Sequence, residues 1–230
     1  MNAVSVGEIS FLDNCSPETV RDFLRLGRIV RHPKGQVVLR AREKNPEIFF
    51  VLSGKVQIYN LTGDGRKKIL FILGSNNIAN DSIIKGYSAI FCETLEECVF
   101  LAVRREDLTA LMQRDFTLTA ALMEYQERRM WRLEHQLKNT FGSIYIERKL
   151  ASKLWRLARD FGIETERGVL IDVELSITFL ADLLGVPREN ASRACKKLSD
   201  LGIIAIDRKK IYVVDRDRTA YYFQHGELPE

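Results

Sequence analysis

The sequence predicts an α+β fold in which a β-barrel comes first, a long helix follows, and a smaller unit of helices with a hairpin comes last. Three observations predict it. Short β-prone runs separated by turn residues fill 28–103, a helical periodicity begins after Arg104, and two short helices separated by a glycine precede a final hairpin. A chain of 230 residues is long enough for two compact domains. We expect the boundaries to give a barrel domain of 1–115, a dimerisation helix of 116–141 and a C-terminal domain of 142–230.

The composition excludes several classes of protein. Hydrophobic residues make up 46% and charged residues 29% of the chain, which predicts ordered cores rather than disorder. The cysteines are widely spaced and the histidines are scattered, so we expect neither a disulfide framework nor a closed metal site. The sequence contains no recognisable nucleophile–base pair or phosphate loop, and we do not expect an enzyme.

The N-terminus does not resemble a targeting segment. Met1–Cys15 carries Glu8 and Asp13 and lacks a basic start followed by an apolar core. The longest apolar runs, such as Ile48–Leu52 and Ile69–Leu73, are far shorter than a membrane span. We therefore expect a cytoplasmic protein that has no membrane partner.

The N-terminal part combines one short helix with many short strands. Ser16 as a cap and Pro17 at the first helical position predict a helix over Pro17–Leu26 that ends at Gly27. The pair Asp64-Gly65 predicts a hairpin turn with positive φ at both central positions. Many short strands at close spacing are typical of a sandwich or barrel. The strands are expected at Gln36–Leu39, Ile48–Leu52, Lys55–Tyr59, Lys68–Ile72, Ala89–Cys92 and Cys98–Val103.

A single apolar seam runs along the long helix. Phe116, Met123, Met130 and Leu137 recur every seven residues, and Leu133 lies on the same side. The seam has two interpretations: it packs on its own domain, or it pairs with a copy of itself as a coiled coil. We favour pairing, because the seam is narrow and the rest of the helix is charged. The segment Phe141-Gly142-Ser143 is the expected hinge, and the next helix is expected over Tyr145–Phe161.

The stretch Ser176–Val214 carries the most information about function. Ser176 can cap a helix over Ile177–Leu184, and Gly185-Val186-Pro187 forms a short turn. A second helix begins near Arg188 and runs to about Leu201, with its inner face expected at Ala191, Ala194, Cys195 and Leu198. Strands at Ile203–Ile206 and Ile211–Val214 then flank a basic turn. This order is typical of a winged helix-turn-helix.

The charge of this stretch suits a DNA backbone. Seven basic and three acidic residues lie between Arg188 and Lys210. Arginine can donate two hydrogen bonds to guanine and glutamate can accept one from cytosine, whereas lysine better suits phosphate. Candidate phosphate contacts are Lys196, Lys197, Arg208, Lys209 and Lys210. The alternative is a solvated helix face with ordinary charge pairs.

Two motifs resemble those of a known family. The first is Ile48–Val56 followed by Asp64-Gly65-Arg66, and the second, which is more specific, is Leu180–Arg193. On these motifs the chain resembles the Crp/Fnr family over nearly its whole length. The resemblance implies a DNA-binding transcription regulator with a barrel like that of cyclic-nucleotide-binding domains (a jelly roll). It also implies a homodimer, an effector that controls DNA binding, and RNA polymerase as a further partner.

The family's recognition-helix pattern matches this chain at four positions. They are Arg188, Glu189, Ser192 and Arg193, and we expect these side chains to read bases. The resemblance implies that Glu189 and Arg193 read a C·G pair in a TGA-type half-site. A two-fold dimer would then require a near-palindromic operator.

The effector is where this sequence departs from the family. Members that bind cyclic nucleotides have a Gly-Glu-x-x-Leu phosphate cassette followed by Arg-Ala, whereas this chain has Asn76–Ile83 and Ser88-Ala89-Ile90. Asp81 would repel a phosphate, so cyclic AMP is disfavoured. Iron–sulfur members have an N-terminal cysteine cluster, and only Cys15 lies there, so this cofactor is also disfavoured.

The remaining effector classes stay open at this point. Haem sensors of the family use a barrel histidine or cysteine, which leaves Cys92 as a conceivable ligand, although a small buried apolar role is the more common one. Members that respond to halogenated aromatics share a tail like Tyr221-Tyr222-Phe223. An aromatic or other organic acid is thus one alternative; haem, redox control through Cys15 or Cys195, or no effector are the others. Candidate ligand contacts are Lys85, Tyr87, Tyr125 and Arg129.

Overall fold

The computed structural model describes residues 9–138 and 145–228. The expected hinge at 141–143 lies outside the described residues. The helices are α1 Pro17–Leu26, α2 Arg105–Arg114, α3 Phe116–Lys138, α4 Ile146–Phe161, α5 Ile177–Leu184, α6 Arg188–Asp200 and α7 Arg216–His225. None of the helices in the described ranges has an apolar stretch long enough to cross a membrane.

Two compact units make up the chain. The first comprises the residues up to Gly65 together with Ile69–Glu134, and the second comprises Arg66–Lys68 and the residues from His135 onward. Each unit has its own sheets and helices, and each is described separately below.

The first unit is a two-layered antiparallel barrel, as the sequence predicts. One sheet has the strand order β1-β8-β3-β6 and the other β2-β7-β4-β5. The strands are β1 Arg28–His32, β2 Val37–Leu39, β3 Glu47–Ser53, β4 Val56–Leu61, β5 Lys67–Leu73, β6 Asn77–Ile78, β7 Phe91–Thr94 and β8 Cys98–Arg104.

Strand β3 explains why the barrel has two cores. Phe49 and Val51 point into the space between the two sheets, whereas Ile48 and Phe50 belong to a second cluster that includes residues of α1, α2 and α3. Successive side chains of a strand point to opposite faces. A strand with helices on one face and a sheet on the other is therefore apolar throughout, as this run is.

The long helix α3 uses two different faces. Leu118, Leu122 and Tyr125 are buried in the cluster shared with the barrel. The predicted seam lies on the exposed side of the helix in the single chain. Its members are Phe116, Met123, Met130, Leu133 and Leu137.

The second unit packs helices α4 to α7 with a small sheet of order β11-β12-β10-β9. The strands are β9 Gly162–Thr165, β10 Gly168–Ile171, β11 Ile204–Asp207 and β12 Lys210–Val213. Trp155 of α4 contacts Phe223 of α7, and the Arg148 guanidinium donates to the Phe223 carbonyl at 3.1 and 3.2 Å. The tail around Tyr222 is therefore part of this helical packing.

Local predictions were mostly confirmed, with informative exceptions. Helix α1 has the predicted bounds, and Ser16 accepts a hydrogen bond from the Thr19 amide. The turn prediction at Asp64-Gly65 was wrong, because only Gly65 has positive φ and its amide bonds the Thr62 carbonyl in a longer loop. The sequence did not predict β1, β6, β9 or α7, and it did not separate α2 from the long helix.

Candidate nucleic-acid interface

The helix-turn-helix of the second unit is built as its sequence predicts. The Ser176 hydroxyl accepts from the Phe179 amide at 3.1 Å and caps α5. Gly185 ends α5 with φ of 72°, a left-handed conformation that glycine adopts without the steric cost of a side chain. Pro187 precedes α6 and supplies no side-chain cap. The turn is therefore short and fixes the direction of the second helix.

Helix α6 separates a buried face from an exposed one. The inner face is buried at the four predicted positions Ala191, Ala194, Cys195 and Leu198. The six polar side chains predicted to face out are all exposed: Arg188, Glu189, Ser192, Arg193, Lys196 and Lys197. The buried face thus anchors α6 in its domain, and the polar face remains accessible to a partner.

The exposed face is not a run of ordinary charge pairs. Arg193 donates a hydrogen bond to the Asn190 side chain one turn earlier on the same helix. Among the described residues, no ion pair engages Arg188, Glu189, Arg193 or Lys196. These charges therefore project into solvent without an internal counter-charge.

Lys197 differs from its neighbours. Its ammonium forms an ion pair with Glu147 at the start of α4 and lies 5.9 Å from the centroid of the Tyr145 ring. The hydrogen bond with Glu147 raises the pKa of Lys197. Burial is the largest single influence on Glu147 and raises its pKa. The hydrogen bond from Lys197, a backbone hydrogen bond and the charge of Lys197 together outweigh burial, so the net pKa of Glu147 is lowered. Lys197 is thus a predicted phosphate contact that is held by an internal carboxylate.

Sequence reasoning did not identify Tyr145 or Glu147 as part of this surface. Both line a cleft of about 510 Å³ beside α6, together with Asn190 and Arg193. Glu147 and Lys197 are 50 positions apart in the chain, so no local spacing could have paired them.

The wing is a tight basic turn. Strand β11 ends at Asp207 and β12 begins at Lys210, so Arg208 and Lys209 form the tip. Arg208 has φ of 57°, which is unusual for a residue with a long side chain. All three predicted wing cations are exposed, and Lys209 approaches a Glu174 carboxylate only to 3.9 Å.

In the barrel, Asp81 lies in the stretch where cyclic-nucleotide-binding members have their phosphate cassette, and its carboxylate bonds groups of the same chain. One carboxylate oxygen of Asp81 accepts the Ser88 hydroxyl at 3.0 Å, and the other accepts the Ala89 amide at 2.7 Å. Arg105 ties down the following backbone by donating to the Ser82 carbonyl at 2.7 Å. The donors at Ser88 and Ala89 are therefore already engaged by a negative group of the chain itself.

The candidate ligand contacts of the barrel have separate roles. The Tyr125 hydroxyl accepts from the Ile78 amide at 3.0 Å and donates to the Ile78 carbonyl at 3.1 Å. Arg129 donates to the carbonyls of Ile78 and Asn80. Tyr125 and Arg129 line one cleft of about 180 Å³ between the barrel and α3. Lys85 and Tyr87 are exposed on the loop before β7 and do not line this cleft.

The cysteines are protected thiols. Burial raises the pKa of Cys195 and of Cys98 to about 11 and raises the pKa of Cys92 still further. Burial, with help from Asp115, also raises the pKa of Cys15. The thiolate is the reactive form of cysteine, so these environments suppress reactivity at neutral pH. Within the described ranges, no group of three or more histidine, cysteine or acidic side chains is placed to hold a metal.

Two family models match most of the chain. The cyclic nucleotide-binding domain matches residues 29–115 and the Crp-like helix-turn-helix domain matches residues 148–218. A similar curated protein is the CRP-like cAMP-activated global transcriptional regulator of Mycobacterium tuberculosis. It is 24% identical over 193 residues, which cover 83% of this chain and 86% of that protein.

Solved structures share the fold. FixK2 from Bradyrhizobium japonicum matches with a TM-score of 0.75 and 19% identity, covering 85% of this chain and 96% of that one. A CooA mutant from Carboxydothermus hydrogenoformans matches with a TM-score of 0.73 and 16% identity, covering 96% of this chain and 98% of that one. These solved structures therefore have the same fold as this chain.

Proposed function

We propose a specific role for this chain, which belongs to the Crp/Fnr family of transcription regulators: a homodimer that binds a near-palindromic operator with TGA-type half-sites. The relatives are regulators and not enzymes, in agreement with the sequence-based expectation. The observation that carries the proposal is the exposed row of Arg188, Glu189, Ser192 and Arg193 on a helix whose opposite face is buried.

The chemistry of this row suits the major groove. A guanidinium can donate two hydrogen bonds to the O6 and N7 atoms of guanine, and a carboxylate can accept one from the N4 amino group of cytosine. Glu189 and Arg193 are separated by about one helical turn and therefore lie on the same side of α6. They can contact the two members of one C·G pair, while Arg188 and Ser192 extend the same row.

Two-fold symmetry follows from the exposed seam of α3. A half-site contacted by one recognition helix is short, and dimers of this class place two such helices one turn of DNA apart, about 34 Å. Pairing of the seam with a second copy supplies that symmetry and buries side chains that solvent would otherwise contact. Within this proposal the domain limits are 1–115, 116–141 and 142–230.

Replacing Glu189 or Arg193 by Ala tests the base-reading assignment. We expect each variant to lose about 1–3 kcal/mol of binding to the preferred operator and to tolerate changes at one base pair per half-site. The measurement is a fluorescence-anisotropy titration against the operator and its single-base variants at fixed salt. Operators come from selection on random DNA.

Lys196→Ala is the matched control on the same helix. Lys196 is exposed and suits a phosphate, so its loss should weaken binding to every sequence alike and lower the salt dependence. If the Arg193→Ala variant showed the same uniform loss with unchanged sequence preference, the base-reading role would be wrong.

We further propose that cyclic AMP is not the effector. The Ser88 hydroxyl and Ala89 amide bond the Asp81 carboxylate, and an incoming phosphate would meet that negative charge. We expect no change in melting temperature or operator affinity on addition of millimolar cyclic AMP. Adenosine 5′-monophosphate at the same concentration is the control for weak adenine binding. A saturable, cyclic-AMP-specific stabilisation would overturn the proposal.

Effector-independent regulation, or control by haem or redox state, is the alternative within the same family. The raised thiol pKa values of Cys15, Cys92 and Cys195 weigh against a reactive or ligating thiolate. We also propose RNA polymerase as a further partner and the cytoplasm as the location, since both would suit a DNA-binding regulator.

A further inference from the structure

The two charged side chains that we propose to read a C·G pair are also placed to pair with each other. Glu189 lies four positions before Arg193 on α6. An acidic residue four positions before a basic one is the arrangement that favours an ion pair on a helix surface. Such a pair would neutralise both charges and leave neither free for a base. In the part of the chain that the structure describes, no ion pair joins the two.

Arg193 bonds a neutral side chain instead. Its Nη2 atom donates a hydrogen bond to Oδ1 of Asn190, which lies one turn earlier on the same helix. A guanidinium has no acceptor, so the amide of Asn190 must present its oxygen to it. The guanidinium therefore keeps its charge, and the carboxylate of Glu189 stays separate from it.

Asn190 is held more firmly than the arginine that it contacts. It is half-buried, whereas Arg193 is exposed, and its backbone amide donates to the Pro187 carbonyl at 3.0 Å in the first turn of α6. Ordering a long, flexible side chain during binding lowers affinity. A short side chain on a fixed backbone can restrict Arg193 before DNA arrives and so reduce that cost.

The next cation along the helix is restrained in the same cleft. Asn190, Arg193 and Lys197 all line the cleft of about 510 Å³ between α4 and α6. Lys197 lies four positions after Arg193 and thus on the same side of the helix. Its ammonium is paired with Glu147 of α4, which lessens the repulsion between Lys197 and Arg193. The bond from Arg193 to Asn190 is therefore not opposed by a free like charge from Lys197.

We propose that Asn190 is a positioning residue whose amide oxygen holds the Arg193 guanidinium apart from Glu189, so that both charges reach the base pair. The inference rests on the proposed base-reading function. The bond to Asn190 uses one N–H of Nη2, and guanine accepts two further bonds at O6 and N7. The guanidinium has enough N–H groups for all three, so Arg193 can keep the bond while it contacts guanine. Asn190 thus contributes to specificity through Arg193.

Asn190→Ala is the first test, because alanine removes the acceptor and favours the helix. Affinity for the operator should fall about two- to tenfold, the effect of ordering one long side chain only on binding. The preference for the base pair that Arg193 contacts should fall by the same factor. Affinity for random DNA and the salt dependence should stay unchanged, since no phosphate contact is lost. Fluorescence-anisotropy titrations against the operator, its single-base variants and random DNA measure all four quantities.

A double-mutant cycle shows whether Asn190 acts through Arg193. In the Arg193→Ala background, Asn190→Ala should change neither the affinity nor the base preference, because no guanidinium is left to position. Ser199→Ala is the matched control on the same helix. Ser199 is exposed near the end of α6 and does not line the cleft, so this variant should bind as wild type does.

Asn190→Asp tests the hydrogen bond itself, because aspartate keeps an oxygen acceptor at the same place. This variant should retain the preference for the base pair that Arg193 contacts. It should bind every sequence more weakly, since it adds a negative charge close to the DNA phosphates. Melting temperatures of all variants show that they fold, and Asn190→Asp alone decides the question if the alanine variant does not.

Three results would contradict the inference: an unchanged base preference in Asn190→Ala, an equal loss from this change in the Arg193→Ala background, or a lost preference in Asn190→Asp. Arg193→Ala on its own tests the proposed function. If Arg193→Ala relaxes the preference and Asn190→Ala does not, only the positioning role is wrong. If Arg193→Ala leaves the preference unchanged, the base-reading assignment is wrong and the positioning role is wrong with it.

Discussion

Glutamate at both Met123 and Met130 should convert the proposed dimer into a monomer and reduce operator affinity at least about a hundredfold. The side chains are 55% and 58% exposed in the single chain, so the change should not unfold the barrel unit. In a paired seam each glutamate would lose water and face a like charge from the second copy. Two linked recognition helices bind a palindrome more tightly than either alone by a factor of about 100 to 10,000, and a monomer forfeits that gain.

Sedimentation velocity gives the oligomeric state, and anisotropy gives affinities for a full palindrome and for a single half-site. Leucine at the same two positions is the matched control and should preserve both the dimer and its affinity. Half-site binding of the glutamate variant should equal that of wild type, because the recognition helix is untouched. A glutamate variant that remained a dimer would place the interface elsewhere on the chain.

The sequence predicts a helix or strand well where the conformation that its own residues favour is also the one that tertiary packing requires. The capped helix α1 and the pair α5–Gly185–α6 follow from cap, proline and glycine positions that act within a few residues. Helix α7 was missed because its apolar residues do not form one regular stripe; Tyr222 is buried and Phe223 packs on Trp155 from a distant helix. Short strands such as β6 depend on pairing with a remote partner, which local propensity does not contain.

Some features of the candidate functional surfaces could be predicted from the sequence and others could not. The exposed row on α6 could be predicted, because four small or apolar residues at helical spacing fix which side is buried. The pairing of Glu147 with Lys197 could not be predicted, and neither could the contact of Arg129 with Phe71, since each joins elements that are far apart in the chain. The sequence shows Arg129 and Arg132 about one turn apart on α3, but only the fold shows that Phe71 lies beside both.

The turn of the wing carries backbone strain at a basic residue that we propose contacts DNA. Arg208 adopts the left-handed conformation at φ of 57°, which costs an L-residue about 1–2 kcal/mol. Arg208→Gly removes this strain, although glycine gives back about 0.5–1 kcal/mol through the entropy of the unfolded chain. We expect the free energy of unfolding of the second unit to rise by about 0.5–1 kcal/mol. DNA affinity should fall for every sequence, and the slope of log K against log salt should become shallower by about 0.9.

Lys209→Gln is the control that removes a positive charge without changing backbone strain. Lys209 lies at the same exposed tip as Arg208 but does not have a positive φ. It should lower the salt slope by a similar amount and leave the unfolding free energy unchanged. Neutralising Arg208, Lys209 and Lys210 together should lower the slope by up to about 2.7, the largest uniform loss of affinity that the wing can produce. If Arg208→Gly stabilised the protein without weakening DNA binding, the wing would not contact the backbone. The positive φ of Arg208 would then lack a functional reason.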